Sequence, residues 1–111
     1  MKMPGGQRAI VDIVKLHGYC LNPLHPRGRH KARVFLSALG LTHVDAEFLR
    51  EELLRAAREV DAVMGEVDQY GERYTIDFGV ARDVLRAMVR STWIVRRGER
   101  FPADKLFCIM N

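Results

Sequence analysis

The pattern of apolar and polar residues predicts helices in the first half of the chain and strands in the second. A short helix should run from about Val14 to Leu21 and end at Asn22-Pro23, because the residue before a proline disfavours helical backbone. A second helix should begin near residues 26–28 and end at Leu39, since Gly40 is a natural stop. Helical spacing gives this helix one apolar and one polar face. The apolar set is Ala32, Phe35, Leu36 and Leu39, and the polar set is Arg29, His30, Arg33 and Ser37.

A third helix is indicated by a start signal followed by a long apolar stripe. Thr42 precedes Asp45 by three positions, which is an acidic form of the capping box. Apolar residues then recur at helical spacing, at Phe48, Leu49, Leu53, Ala56, Ala57 and Val60. After Asp61 the period changes to two, which predicts strands from there on.

Alternation along the predicted strands assigns side chains to opposite faces of a sheet. Tyr74, Ile76 and Phe78 should face one way, and Arg73, Thr75 and Asp77 the other. Residues 81–90 suit a helix or a strand, although the expected turn glycine is absent there, and we favour a long strand. That strand would carry Arg86, Arg90, Thr92 and Arg96 on one face as a basic stripe. A last strand should cover Lys105–Met110.

The predicted elements add up to an α+β domain, with N-terminal helices packed on one face of a small antiparallel sheet. At 111 residues, with 48% apolar and 29% charged residues, the chain fits one domain over residues 9–111 after a loose N-terminus, residues 1–8. Two cysteines far apart in sequence give no disulfide framework, and the N-terminus lacks the apolar stretch of a signal peptide. We therefore expect a cytoplasmic protein, and no apolar run is long enough to cross a bilayer.

Charge is unevenly distributed along the chain, which bears on the kind of partner. Residues 1–44 carry seven cations and one acid, residues 45–78 four and ten, and residues 79–111 seven and three. Two basic flanks therefore surround an acidic middle, which favours a polyanionic partner for one surface.

The strongest candidate for function is the segment from Asn22 to Phe35, which places two histidines and four cations in one turn and the start of a helix. No acid lies between Asp12 and Asp45 in the sequence. Free backbone N–H groups at a helix start favour anions, so this layout predicts an anion site.

Several blocks of the chain resemble a family of small bacterial domains of unknown function. In the first half they are Lys15-Leu16, Tyr19, Leu21-Asn22-Pro23, His25-Pro26-Arg27-Gly28, His30-Lys31-Ala32-Arg33-Val34-Phe35 and Leu39-Gly40. In the second half they are Gly71, Arg73-Tyr74, Asp77-Phe78, Val89-Arg90-Ser91, Trp93-Ile94-Val95-Arg96 and Pro102. Members look like toxin-type domains, and the order of helices then sheet is similar to the ribonuclease superfamily that unites barnase, EndoU, colicin nuclease and RelE-like toxins. Relatives commonly carry a Thr before the last aromatic residue of the final strand, where this chain reads Leu106-Phe107-Cys108.

That resemblance implies metal-independent cleavage of RNA without a cofactor, and the residues suggest how it would proceed. Histidine suits both proton transfers because both of its forms are populated near neutrality. His25, His30 and Lys31 are the candidate catalytic residues. Arg27, Arg29, Arg33 and Arg90 are the candidate phosphate ligands, and Tyr74, Asp77 and Thr92 would support them if the sheet packs beneath the loop.

Other interpretations of the same residues remain open at the level of sequence. His25 and His30 are equally consistent with helix caps or surface residues, and Arg33 could pair with Glu51 or Glu52. A zinc site from Cys20, His25 and His30 matches no familiar spacing, so no metal is expected. Asp77 could be only the ion-pair partner of Arg90, and Tyr74, Phe35 and Trp93 fall on the periodicity of a core.

The competing function is a non-catalytic module that binds RNA, or one half of a toxin pair recognised by an antitoxin or immunity protein. Both functions would use the same cations. The sequence does not indicate the oligomeric state.

Overall fold

The computed structural model describes residues 1–110 of the chain. The helical half contains a 3-10 turn (Gly6–Arg8), α1 (Ile13–Lys15) continued by a π-helical turn (Leu16–Cys20), α2 (Arg29–Leu39), a second 3-10 turn (His43–Asp45) and α3 (Ala46–Glu59). The second half contains β1 (Val63–Asp68), β2 (Gly71–Arg82), β3 (Leu85–Arg96) and β4 (Ala103–Met110). The predicted α+β class is confirmed, with the helices mainly in the N-terminal half.

The four strands form one antiparallel sheet in the order β1-β2-β3-β4. Strands β2 and β3 pair along their whole length and join at a two-residue turn, Asp83-Val84, between Arg82 and Leu85. Asp83 adopts a left-handed backbone conformation, with φ of 53°. Aspartate tolerates that conformation better than most residues, so it takes the place of the expected turn glycine. The strand interpretation is therefore confirmed for residues 85–90, whereas residues 81–82 end β2 and residues 83–84 form the turn.

One face of the sheet is covered by helices, and we call the other the open face. Helix α3 packs over β2, and α2 packs over β3 and β4. The covered face carries large buried side chains, with Trp93 at its centre. Its indole N–H donates to Ser91 Oγ at 2.9 Å, and Ser91 donates to the carbonyl of Ile76 at 3.1 Å. The buried polar groups of this core therefore satisfy one another.

Both helix boundaries that the sequence indicated most clearly are confirmed. Gly40 ends α2 with a φ of 68°, and Thr42 and Asp45 form a reciprocal capping box at the start of the third helical segment. Tyr74, Phe35 and Trp93 belong to the core, as their periodicity indicated.

Two sequence expectations are wrong in detail. Residues 1–8 are not loose, because Met3 is buried and Gly6 packs against the backbone of Ala57. Leu36 is not in the core: it is 52% exposed, because it lies at the side of α2 rather than on its inner face. Strand β1, by contrast, agrees with the strands predicted after Asp61.

The outer edge of β4 is closed by other parts of the chain. Ile10 exchanges backbone hydrogen bonds with Pro102 and Asp104. Lys15 donates to the carbonyl of Lys105, and Lys31 of α2 donates to the carbonyl of Phe107. Three outward-facing groups along this stretch of β4, the N–H of Asp104 and the carbonyls of Lys105 and Phe107, are therefore satisfied without another strand.

Candidate functional site

The loop before α2 is held together by the side chain of His25. Its Nδ1 accepts hydrogen bonds from the backbone N–H groups of Arg27 and Gly28, both at 3.1 Å. Its ring also packs against Tyr19, with ring centroids 4.4 Å apart. Because Nδ1 is an acceptor here, the proton of the neutral ring sits on Nε2. A general base would need Nε2 unprotonated, so His25 in this geometry is a capping residue rather than a base.

Glycine at position 28 is required by the same loop. A Cβ at Gly28 would lie 2.0 Å from the carbonyl oxygen of Tyr19, which is backbone and cannot rotate away. Asn22 supports the turn from the other side, because its side chain donates to Gly18 and accepts from the backbone of Leu24. The His-Pro-x-Gly block therefore has a structural explanation that involves no ligand.

The cations of α2 are distributed over separate sides of the helix. Arg29 and Arg33 lie on one flank, and Lys31 lies on the opposite flank, towards β4. His30 is exposed on the side away from the core. Arg33 makes no ion pair with the described acids, and Glu51 and Glu52 pair with arginines of their own helix instead. The five candidates in residues 25–31 and Arg33 therefore do not converge on one point.

Lys31 reaches the edge of the sheet rather than the loop. Its Nζ donates to the carbonyl of Phe107 and lies 5.0 Å from the centroid of that residue's ring. Burial lowers the pKa of Lys31, and the nearby thiols of Cys20 and Cys108 partly oppose that change. A larger fraction of this amine is therefore neutral than for an ordinary surface lysine.

On the open face, three directly opposed residues form a line across three strands. Asp77 of β2 is paired with Arg90 of β3, and Arg90 is paired with Cys108 of β4. We call Asp77, Arg90 and Cys108 the open-face row. The carboxylate of Asp77 accepts two hydrogen bonds from the Arg90 guanidinium, at 2.8 and 2.9 Å. The predicted ion pair is confirmed, and its two bonds fix the plane of the guanidinium.

The electrostatics connect the open-face row to Lys31. Hydrogen bonding to Arg90 holds the pKa of Asp77 below its ordinary value. The sulfur of Cys108 is close enough to both Arg90 and Lys31 to contribute an upward shift to the pKa of each. Lys31 thus reaches the outer edge of β4 one residue along the strand from Cys108, where it lies over the ring of Phe107 on the covered side.

A shallow depression borders the row on the side of the β2–β3 turn. Its volume is about 700 Å³, and open-face residues Gly79, Ala81, Arg86, Met88 and Met110 line it. On the other side of the row, Thr92 pairs with Thr75, and both are half-buried. The open face thus offers a row of a carboxylate, a guanidinium and a thiol between an apolar depression and a pair of hydroxyl groups.

The structure brings together only some of the predicted site residues. Lys31, Arg90, Asp77 and Thr92 lie at or beside the open-face row. Arg27, Arg29, Arg33, His25 and His30 belong to the helical layer. Tyr74 is buried on the covered face, where its hydroxyl donates to Glu72 at 2.9 Å. It therefore cannot join Asp77, because residues three apart on a strand point to opposite faces.

Two other features were missed at the level of sequence. Cys108 enters the row through the pairing of β3 with β4, which the sequence pattern does not reveal. His17 and His43 come within 5.3 Å of each other, ring centroid to ring centroid, although 26 positions separate them in sequence. Both histidines fall between Asp12 and Asp45, where the sequence has no acid. That was the only feature of the sequence that could have drawn attention to them.

Within residues 1–110, no group of three or more His, Cys, Asp or Glu side chains is placed to hold a metal ion. No helix in that range has both the length and the apolar character of a membrane span.

The fold and the row define a small α+β domain with an ion pair and a thiol aligned across an uncovered sheet face. A family model matches residues 2–106, and the chain belongs to that family, which is described as Domain of unknown function (DUF6883). No curated protein and no solved structure matches the chain.

Proposed function

We propose that this domain is a metal-independent ribonuclease of toxin type whose reactive site is the open-face row with Lys31. The observation that carries the proposal is that a lysine of lowered pKa at the β4 edge and an oriented arginine on the open face both lie within electrostatic reach of Cys108. The resemblance to toxin-type ribonuclease domains supplies the substrate class.

In this mechanism Lys31 is the general base. Its neutral amine takes the proton of a ribose 2′-hydroxyl, and the 2′-oxygen forms a bond to the adjacent phosphorus. The bond from phosphorus to the 5′-oxygen breaks, and water supplies the proton for that leaving oxygen. The products are a 2′,3′-cyclic phosphate and a free 5′-hydroxyl. Because burial lowers the pKa of Lys31, more of this amine is available as a base than for an exposed lysine.

Arg90 stabilises the negative charge that develops on the phosphoryl oxygens. Asp77 is a positioning residue, because its two hydrogen bonds hold the guanidinium before substrate arrives. Thr92 lies next along β3 on the same face and would contact the sugar or phosphate. The depression beside the row has room for the neighbouring nucleotide.

The proposal changes the residues assigned to proton transfer from those that the sequence suggested. The Nδ1 atom of His25 accepts hydrogen bonds from its own loop, and His30 is exposed on the outer side of α2. Arg27, Arg29 and Arg33 also lie in the helical layer, away from the row, so they are not assigned to the scissile phosphate.

The test is cleavage of a fluorophore-labelled single-stranded RNA in the presence of a chelator. The wild type should cut it and leave a cyclic phosphate, and a strand with 2′-deoxyribose throughout should stay intact. Lys31→Met and Arg90→Ala should each lower the rate by about a hundredfold or more. Arg97→Ala, an exposed arginine in the β3–β4 connection, is the matched control and should change it by less than about twofold.

Two results would overturn the site. If His30→Ala abolished cleavage while Arg90→Ala did not, the chemistry would lie at the start of α2. If both Lys31→Met and Arg90→Ala cut RNA at the wild-type rate, the row would have no catalytic role.

A second candidate function is non-catalytic binding of RNA along the same face. It is favoured by the basic stripe of β3, where Arg86, Arg90 and Arg96 are all exposed. In that case the RNA stays intact, affinity falls steeply with salt, and charge reversal along the stripe weakens binding in proportion to the charges removed.

A further inference from the structure

A groove on the helical layer, away from the open-face row, lies between α2 and the start of the third helical segment. Its volume is about 450 Å³. Apolar side chains form most of its lining, namely Leu21, Pro23, Ala32, Leu36 and Leu41. Arg29, Arg33, Thr42 and His43 supply its polar rim. We call this feature the α2 groove.

The apolar surface extends beyond the groove. Leu36, at the side of the groove, is 52% exposed. Leu24, in the loop before α2, and Val44, in the second 3-10 turn, are 88% and 75% exposed. A second, smaller depression of about 280 Å³ adjoins the groove through Pro23 and His43. A patch of exposed apolar side chains often marks a surface at which another molecule binds.

The charge of the rim is not neutralised by the protein. Within residues 1–110, neither Arg29 nor Arg33 makes an ion pair, and no acid lies between Asp12 and Asp45 in the sequence. Asp45 itself is occupied, because it pairs with Arg82 at 2.7 Å and accepts a hydrogen bond from the backbone of Thr42. Two arginines one helical turn apart therefore present free guanidinium groups beside an apolar floor.

We propose that the α2 groove binds an acidic, amphipathic segment of another protein. A large aliphatic or aromatic side chain of that segment fills the groove, and carboxylates one turn apart on either side of it pair with Arg29 and Arg33. A protein segment fits better than nucleic acid, because aliphatic side chains line the groove and bases need aromatic faces on which to stack. A second copy of this chain fits less well, because Glu47, Glu51 and Glu52 of α3 already pair with arginines of their own helix.

The experiment is selection from a displayed library of random peptides of about 15 residues against the immobilised wild-type protein. Selected peptides should combine at least two acids with a large apolar residue, and their affinity should be measured by fluorescence anisotropy. The double variant Arg29→Glu, Arg33→Glu should weaken that affinity at least about tenfold. The matched control is Arg97→Glu, Arg100→Glu, which makes the same change in net charge on exposed arginines of the β3–β4 connection and should bind as the wild type does.

The proposal fails if no peptide is enriched, if the enriched peptides are not acidic, or if they bind the Arg29, Arg33 variant as tightly as the control. Reversing Arg29 and Arg33 changes only exposed side chains, and a thermal melt checks that the variant folds. If it does not fold, Arg29→Gln, Arg33→Gln takes its place with the same expected loss. RNA bound by the wild type and lost in the groove variant, with no peptide selected, would assign the groove to nucleic acid and overturn the proposal. The groove variant leaves the open-face row unchanged, so it should still cleave RNA. Measuring its cleavage therefore separates a failure of the groove proposal from a failure of the proposed ribonuclease activity.

Discussion

The Nδ1 atom of His25 is 3.1 Å from the backbone nitrogen of Gly28 and accepts its hydrogen, so the histidine fixes the turn that starts α2. Replacing His25 by Ala leaves two backbone N–H groups without that acceptor, and we expect a loss of about 1–2 kcal/mol in the free energy of unfolding. Gly28→Ala should cost about 3 kcal/mol or more, because its Cβ would collide with the backbone of Tyr19.

Urea denaturation measures both changes. Arg27→Ala is the control, since the Arg27 side chain is exposed and makes no ion pair within residues 1–110, and it should stay within about 0.5 kcal/mol of the wild type. A His25→Ala protein of unchanged stability that no longer cuts RNA would return a proton-transfer role to His25.

Asp77 is expected to matter for cleavage far more than for stability. Both it and Arg90 are substantially exposed, so Asp77→Asn should change the free energy of unfolding by less than about 0.5 kcal/mol. Cleavage should fall by about tenfold, because the amide cannot accept both guanidinium hydrogen bonds and Arg90 loses its fixed orientation. Rates at saturating RNA and denaturation curves on the same preparation separate the two effects. Equal rates for Asp77→Asn and the wild type would show that Arg90 needs no positioning.

The lowered pKa of Lys31 predicts a pH dependence for both rate and stability. Cleavage should speed up as pH rises from neutrality, because more of the amine becomes neutral, and Lys31→Met should lack that component. The unfolded chain binds more protons than the folded one between the folded pKa and about 10.4, the ordinary value for lysine. The free energy of unfolding of the wild type relative to Lys31→Met should therefore increase with pH across that window. Denaturation of both proteins from pH 7 upwards checks the sign, and a difference that falls with pH would contradict it.

Asp45 should make stability sensitive to acid. Its hydrogen bond to Arg82 is the main cause that keeps its pKa low, and the backbone N–H of Thr42 adds to it. Because the folded pKa is lowered, this stabilisation is complete above the ordinary aspartate value of about 3.9 and is lost as pH falls through the folded pKa. Asp45→Asn should cost about 1 kcal/mol at pH 7 and progressively less below about pH 4. Denaturation at pH 7 and pH 3 tests this, and a cost that is the same at both would exclude ionisation of Asp45 as the source.

Local patterns predicted most of the fold, because the elements depend on local chemistry. The Thr42 to Asp45 capping box, the stop at Gly40 and the alternation around Tyr74 all required only neighbouring residues. The turn at Asp83 was the hardest of these, since a non-glycine residue adopts the left-handed conformation there. Leu36 was assigned to the core because spacing alone does not distinguish the centre of an apolar face from its border.

The candidate site was less predictable, because it depends on which strands are neighbours and in what register. The register of β4 against β3 shifts between Thr92 and Trp93. Sequence spacing does not reveal such a shift, so it could not predict that Arg90 pairs with Cys108. Only Tyr74 could have been excluded beforehand, since alternation already placed it on the face opposite Asp77. The dense cations of residues 27–33 suggested convergence, yet a helix points such neighbours in different directions around its axis.

The hydrogen bonds that Lys15, Lys31 and Ile10 make to β4 also determine where the sheet is able to grow. A strand from another molecule would find the N–H of Asp104 and the carbonyls of Lys105 and Phe107 already bonded on β4, whereas β1 lies at the other end of the sheet with strand β2 on one side only. Strand addition is thereby disfavoured at β4 and left open at β1. The same lysine that we place in catalysis would thus also help to keep the protein from forming fibres.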